Sequence, residues 1–331
     1  METKPVLRLA VPSAGPMYEP MLMFLRSCGI GVQRTNLRRY TAHIPALPGM
    51  QVVFQRASDI TPKVEEGSSD LGIVGMDRFL EIRREGGNTD IVIESLGFGH
   101  CELLMGVPDF WVDVTSLADL ADLSMELREE GTDLRIATKY PRLVERFLLS
   151  NGVNYFSLVQ SSGALEAAPE MGYADIIADL TSTGTTMREN RLKTISGGTI
   201  LESQACLVAN KESLSADKAK LSLAKAVVEM AEAHLRSEGF YTVTANMKGE
   251  TADDVAGYIL GDADISGLRG PTISKVYTQD GEGWYAVTIV VEKDRLLSAV
   301  DRLRTLGGSS VTVSQPNYVF DSDSTALDRL P

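Results

Sequence analysis

GYADIIADLTSTGTTMREN, residues 172–190, reads as a strand, a loop and a helix start in immediate succession. Ile176–Leu180 is an apolar strand with Asp175 before it and Asp179 within it. Hydroxyls from Thr181 to Thr186 surround Gly184, and a short helix-like segment opens at Met187. Backbone N–H groups at such a turn, opened by a glycine and joined by Ser and Thr hydroxyls, form a receptor for phosphate. The two carboxylates upstream are placed to hold sugar hydroxyls or a magnesium ion. One segment therefore offers both halves of a site for a phosphorylated sugar, although Ser, Thr and Gly also fill ordinary polar turns.

The segment repeats a rhythm that runs through the first two thirds of the chain. Val6–Val11, Gln51–Phe54, Leu71–Val74, Ile91–Leu96, Glu102–Val107 and Arg135–Thr138 are further strand-like runs. Helical patterns lie between them, among them Leu22–Leu25, Arg78–Arg84, Leu117–Leu127 and Pro141–Leu149. Such alternation predicts an α/β fold with a parallel or mixed sheet covered on both faces, and ligands at the carboxyl ends of its strands. A long helix over Ala216–Arg236 then separates a compact end piece. There Phe240–Met247, Thr272–Tyr277, Trp284–Glu292 and Ser309–Val313 read as strands, with helices at Thr251–Leu260 and Asp294–Leu306. That is the βαββαβ order of a ferredoxin-like domain, better suited to sensing a small molecule than to catalysis. The polar residues 321–331 predict a flexible tail.

Composition narrows the function classes. A chain of 331 residues makes two or three domains, and 44% apolar residues suffice for ordinary cores. No run reaches the roughly 20 apolar residues of a membrane helix, and METKPVLRLAVPS carries no apolar signal core, which points to the cytoplasm. Cys28, Cys101 and Cys206 are odd in number and far apart, so neither a disulfide framework nor a cysteine metal cluster is expected. The net charge of −13 argues against nucleic-acid binding, and an anionic substrate would need a local cation to offset it.

Other segments carry candidate chemistry. In GSSDLGIVGMD, residues 67–77, glycines bracket a strand that ends beside Asp77, allowing close approach of a ligand or simply an N-capped turn. In RIATKYP, residues 135–141, a strand ends in Thr138, Lys139 and Tyr140, which could grip a diphosphate and stack a base, before Pro141 starts a helix. Glu166 in GALEAAP, residues 163–169, is a site carboxylate or a helix-end acid. His43, His100 and His234 are scattered, and His100 reads best as structural. Met21 and Met23 read as core filling.

Together these motifs resemble the ATP phosphoribosyltransferase family in its long form with a C-terminal regulatory domain. The resemblance rests on DLGIVGMD (70–77), LGFGHCEL (96–103), RIATKYP (135–141) and GALEAAPEMGYADIIADLTSTGTTMREN (163–190), with GPTISKVY (270–277), WYAVTIVVEKDRL (284–296) and LRTLGGSSVTV (303–313) in the end piece. It implies a two-lobed, type II periplasmic-binding-protein-like catalytic region. Lobe I would span 1–100, completed by about 191–236, lobe II 101–190, and the ferredoxin-like regulatory domain 237–320. The implied reaction condenses ATP with 5-phosphoribosyl 1-pyrophosphate, with Mg2+, in the first step of histidine biosynthesis.

Carried onto this chain, the resemblance implies that Ser182, Thr183, Gly184, Thr185 and Thr186 hold the 5′-phosphate. Asp175 and Asp179 would face the ribose and the magnesium ion, with Lys139 as a catalytic partner. Thr138, Tyr140, Asp77 and Arg56 would lie near pyrophosphate and nucleotide, Glu166 beside them. Histidine would inhibit through the regulatory domain, with Thr272 a contact, and the chain would assemble as a homohexamer built from dimers. Family members often carry a lysine or arginine in the turn after the first strand. Here Pro12-Ser13-Ala14-Gly15-Pro16 has neither. That departure keeps open a catalytically weakened member acting as a regulatory subunit, beside a non-catalytic small-molecule binding protein of the same fold.

Overall fold

A computed structural model describes residues 7–36, 38–160, 163, 165–261, 265, 267, 270–278 and 283–331. They divide into two compact units: Met1–Phe24, Gly31–Lys225 and Asp328–Pro331 form one, Leu25–Ile30 and Ala226–Leu327 the other.

In chain order the first unit begins with β1 (Leu7–Pro12), α1 (Tyr18–Ser27), β2 (Thr41–His43), β3 (Met50–Gln55), α2 (Ala57–Glu65), β4 (Leu71–Gly75), α3 (Met76–Ile82) and β5 (Thr89–Ile93). It continues with β6 (Cys101–Pro108), α4 (Leu117–Glu129), β7 (Leu134–Thr138), α5 (Pro141–Ser150), β8 (Phe156–Gln160), α6 (Ala168–Met171), β9 (Ile176–Thr181), α7 (Thr185–Glu189) and β10 (Leu192–Ser203). β11 (Ala205–Asn210) and α8 (Lys211–Ala216) follow, and α9 (Lys218–Ser237) begins in the first unit and passes into the second at Ala226.

Two sheets result, one per lobe: β2-β3-β1-β4-β11-β5 and β10-β6-β9-β7-β8. Neighbouring strands β3, β1 and β4 are parallel, as are β8, β7 and β9, and the strands that arrive after a lobe crossing, β11 and β6, run antiparallel to them. Their central strands are buried on both faces, which is why LRLAVP and LGIVG are near-continuous apolar runs rather than alternating ones. Each Leu, Ile or Val so buried contributes on the order of 1.5–3 kcal/mol.

The chain crosses between lobes twice, and the crossings bind each other. Leu96 N–H donates to the Ala205 carbonyl at 3.0 Å, and Ala205 N–H to the Phe98 carbonyl at 2.9 Å. β10 pairs with β6 in the second sheet. Lobe II thus extends to Ser203, beyond the boundary at 190 that the sequence suggests, because residues 192–203 are an antiparallel strand of its sheet. The long helix read over Ala216–Arg236 forms as α9, starting at Lys218 because Asp217 is extended (φ −138°, ψ 108°).

The second unit contains β12 (Phe240–Lys248), α10 (Ala252–Leu260), β13 (Thr272–Val276), β14 (Trp284–Glu292), α11 (Leu296–Thr305) and β15 (Ser309–Ser314). The sheet order β13-β14-β12-β15, antiparallel throughout, is the ferredoxin-like arrangement. Val243, Ala245, Met247, Val287, Ile289 and Val291 alternate onto one face and pack with Val255, Ile259, Ala299 and Leu303 of the helices. The chain's end is held rather than frayed. Ser324 hydrogen-bonds Glu232, Arg329 pairs with Glu94 at 2.9 Å, and Ala326 and Leu330 are buried. Among the described residues no helix is long and apolar enough to cross a membrane.

Candidate active site

The phosphate-receptor loop forms as a strand–loop–helix. β9 ends at Thr181, and Gly184 takes a left-handed conformation (φ +68°) that a side chain would strain. Thr181 Oγ1 accepts the Gly184 N–H at 2.7 Å, and the Thr183 and Thr185 hydroxyls lie 3.0 Å apart. Arg188 Nη2 donates to the Thr183 carbonyl at 3.3 Å, placing its cation over the loop. Ser182, Thr183, Thr185 and Thr186 are exposed. Among the described residues no protein group accepts the N–H of Ser182 or Thr183. The helix behind the loop has five residues, so loop amides and hydroxyls, rather than a helix dipole, make the receptor.

β7 and β9 are parallel neighbours with Thr138 opposite Ala178, so Lys139 and Asp179 emerge together at their carboxyl ends. Their charged atoms are 3.9 Å apart. Burial pushes the Asp179 carboxyl above the usual aspartate range. The Leu180 N–H, Lys139 and Arg78 draw it back, and Glu166 pushes it up again. Glu166, half-buried in the turn Leu165–Ala167, therefore belongs to the same electrostatic cluster.

Asp77 stands at the start of α3, almost fully buried. Its Oδ2 accepts the Tyr140 hydroxyl at 2.7 Å and its Oδ1 accepts the Ser203 hydroxyl at 2.7 Å. A Cβ at Gly75 would collide with the Asp77 carboxylate, so that glycine makes room for Asp77. Tyr140 is 1% exposed, and burial with the Asp77 charge raises its pKa. A tyrosine this enclosed does not stack a base, which corrects the sequence expectation. Thr138 is likewise buried. Its hydroxyl donates to the Ala178 carbonyl at 2.8 Å and accepts the Tyr140 N–H at 3.0 Å, so it shapes the turn instead of gripping a diphosphate.

Asp175 is also corrected. It precedes β9 at the amino end, where it forms a bidentate pair with Arg135: Nη2 to Oδ1 at 2.6 Å and Nε to Oδ2 at 3.2 Å. Asp179 lies four residues along the strand, about 13 Å away, so the two carboxylates do not share a ribose or a metal ion. Among the described residues no group of three or more His, Cys, Asp or Glu could hold a metal unaided. Arg56 stands exposed at the N-cap of α2. Thr272, exposed at the start of β13 opposite Thr288, belongs to the other unit.

A cavity of about 410 Å³ lies between the lobes of the first unit, walled by Asp77 and Arg78 on one side and by Leu180, Thr181 and Ser182 on the other. Three side chains set aside or missed in the sequence line it. Arg78 follows Asp77, and its guanidinium carbon stands 4.5 Å from the centre of the Tyr140 ring. His100 is exposed in the wall, contrary to its structural reading, and Cys101 is beside it. The position of LGFGHCEL between two strands, at a lobe crossing, was the signal for both. Ser203 was invisible, because only folding brings it to Asp77.

Comparison with known proteins accounts for this arrangement. Residues 56–232 match the family described as ATP phosphoribosyltransferase, and residues 238–316 match the one described as HisG, C-terminal domain. ATP phosphoribosyltransferase 1, chloroplastic, of Arabidopsis thaliana is 43% identical over 330 residues, covering 98% of this chain and 80% of the relative. The ATP phosphoribosyltransferase of Mesorhizobium japonicum is 39% identical over 211 residues, covering 63% of this chain and 91% of its own length. Among solved structures, an ATP phosphoribosyl transferase complex from Thermotoga maritima aligns with TM-score 0.52 and 22% identity over 68% of this chain and 98% of that one, a likeness of fold.

Proposed function

Because the chain belongs to the ATP phosphoribosyltransferase family, we propose that ATP and 5-phosphoribosyl 1-pyrophosphate meet in the cleft between its lobes. The chain is a pentosyltransferase of the first step of histidine biosynthesis. The adenine N1 of ATP attacks the anomeric carbon, the bond from that carbon to the pyrophosphate oxygen breaks, and pyrophosphate departs with its electron pair. The product is N1-(5-phosphoribosyl)-ATP. A transition state of oxocarbenium character needs positioning and charge stabilisation, and the attacking nitrogen has no proton to lose.

In this reading Ser182 to Thr186 hold the 5′-phosphate through loop amides and hydroxyls. Asp179 accepts from the ribose hydroxyls and offsets positive charge on the ring, while Lys139 favours its ionised form against the effect of burial and Glu166 closes the far side. Asp77 is a positioning residue, with both oxygens committed to Tyr140 and Ser203. Arg56 is assigned to the nucleotide because it adjoins Ala57, which lines the cavity. The family uses a divalent metal, and Mg2+ fits a donor set of Asp179 with substrate phosphate oxygens, since this ion favours one or two carboxylates completed by phosphate and water. It would supply neutralisation of the departing pyrophosphate.

The second unit is proposed to bind histidine as feedback inhibitor, with Thr272 a contact, and the assembly to be a homohexamer built from dimers. The proposed compartment is the cytoplasm. Cell fractionation decides that point, since the Arabidopsis relatives are named chloroplastic.

One observation carries the reading: the exposed 181–186 loop and the Lys139–Asp179 pair emerge at adjacent strand ends. The test is a spectrophotometric assay with ATP, phosphoribosyl pyrophosphate and magnesium. Product formation supports it, and no product at any substrate level overturns it. Unchanged rates at millimolar histidine would refute the feedback role. The cation-free turn at 12–16 favours a second reading, a weakened family member that regulates an active partner. Binding of both substrates without turnover would establish that one.

A further inference from the structure

The cleft has to hold polyanions, yet its walls are short of positive charge. The turn Pro12–Pro16, which contributes Pro12, Ala14 and Pro16 to the cavity, has no cation, and Asp77 adds a carboxylate. Lys139 is already opposed by Asp179 at 3.9 Å. The remaining permanent cation among the cavity's lining residues is Arg78.

Arg78 is held in an unusual state for an arginine. It is half-buried, and among the described residues it makes no ion pair and no hydrogen bond. The neighbouring Asp77 does not pair with it directly; its two carboxylate oxygens accept from Tyr140 and Ser203. What fixes Arg78 is the ring of Tyr140, 4.5 Å from its guanidinium carbon. That ring is itself immobilised: its hydroxyl is bound by Asp77, and its backbone N–H by Thr138. A guanidinium lying over an aromatic face spends none of its donors there; the N–H groups around its edge remain free and pre-oriented. Arg78 of lobe I thus stands against Tyr140 of lobe II, in the wall of the cavity that Leu180, Thr181 and Ser182 also line.

We propose that Arg78 is the residue that grips the polyphosphate chain of a substrate in the cleft, supplying the cation that the 12–16 turn lacks. The proposal rests on the assignment of the cleft to ATP and phosphoribosyl pyrophosphate. Both bring a polyphosphate, and the shared chemistry is a diphosphate unit presented edge-on to a fixed arginine fork.

The test uses the full chain with Arg78→Met, which keeps the apolar stem over Tyr140, and Arg78→Lys, which keeps charge without the fork. Calorimetry with inorganic pyrophosphate and magnesium, and KM values for each substrate, are the readouts. Loss of a charge-assisted contact weakens pyrophosphate binding about tenfold to a hundredfold in Arg78→Met, with partial recovery in Arg78→Lys. A matching rise in the KM for phosphoribosyl pyrophosphate alone identifies its diphosphate as the ligand, and a rise for ATP alone identifies the triphosphate. Unchanged pyrophosphate affinity and unchanged KM values in a folded Arg78→Met protein overturn the proposal. Should Arg78→Met fail to fold, the same comparison is made on Arg78→Gln. An inactive wild-type chain would overturn the functional assignment instead, and the pyrophosphate titration would still decide the role of Arg78.

Discussion

Tyr140 and Asp77 meet across the lobes of the first unit, the phenol of the β7–α5 turn donating to the carboxylate at the start of α3 over 2.7 Å. Both side chains are buried, where polar groups are held by protein partners. Nearby contacts point the same way: Glu81 of α3 accepts the N–H groups of Arg142 and Leu143, both at 3.0 Å, and so caps α5 from the other lobe.

Replacing Tyr140 by Phe leaves a buried carboxylate short of one donor, at a cost of about 1.5–3 kcal/mol. The expected result is a lower urea midpoint for the first unit and a higher KM for the substrate that Arg78 contacts. The pH dependence has a definite sign. Burial and Asp77 raise the Tyr140 pKa in the folded protein. Its stabilisation is therefore complete below the ordinary tyrosine value near about 10 and is lost as pH climbs beyond it. The gap between wild type and Tyr140→Phe should narrow in alkali. A gap independent of pH would show that the phenol's proton is not what matters.

Asp179 carries a functional cost in the opposite direction. Its folded pKa is raised, chiefly by burial, so the ionised form is disfavoured in the empty protein. Stability from this group is full below the ordinary aspartate value near about 3.9 and falls as pH rises through the folded value. Asp179→Asn should raise the thermal midpoint at neutral pH, with no such gain in acid, while lowering kcat/KM by about 10²–10³-fold. A variant that loses both stability and activity would mean that the carboxylate is structural.

Asp175 should behave differently. Its pair with Arg135 is partly exposed, so Asp175→Asn is expected to cost about 0.2–1 kcal/mol and to leave turnover near wild type. A double-mutant cycle with Arg135→Ala should return that same small coupling energy. Abolished turnover in a fully stable Asp175→Asn protein would put this residue back at the ribose.

The contrast between these aspartates shows how far the sequence is legible. Alternating strands and helices, the βαββαβ end piece and the 181–186 loop follow from periodicity and glycine punctuation, which are local properties. Asp175 and Asp179 share a strand face by parity, and parity says nothing about which end meets the ligand. The rule that ligands gather at the carboxyl ends of strands would have separated them. Thr138 and Tyr140 are polar residues in a turn and read as accessible; Tyr140 packs into the apolar core of its own lobe, and Thr138 is bonded to Ala178 of the neighbouring strand. Arg78 belongs to no motif of the sequence beyond the helical pattern Arg78–Arg84, and only the buried ring beside it singles it out.

Gly184 supports the sharpest test of the loop itself. At φ +68° an alanine carries about 1–2 kcal/mol of backbone strain. Space is not the obstacle, since the nearest atom to an added Cβ is the flexible end of Arg188 at 3.3 Å. The strain is relieved if residue 184 turns away, which breaks its N–H bond to Thr181 Oγ1 and splays the loop amides. Gly184→Ala should therefore raise the KM for phosphoribosyl pyrophosphate roughly tenfold, the worth of one charge-assisted contact, while the KM for ATP stays put. The loop lies on lobe II and Asp77 on lobe I, so only a receptor for the sugar phosphate gives that split. If both KM values rise together, the loop acts by holding the lobes apart, and the phosphate is bound elsewhere in the cleft.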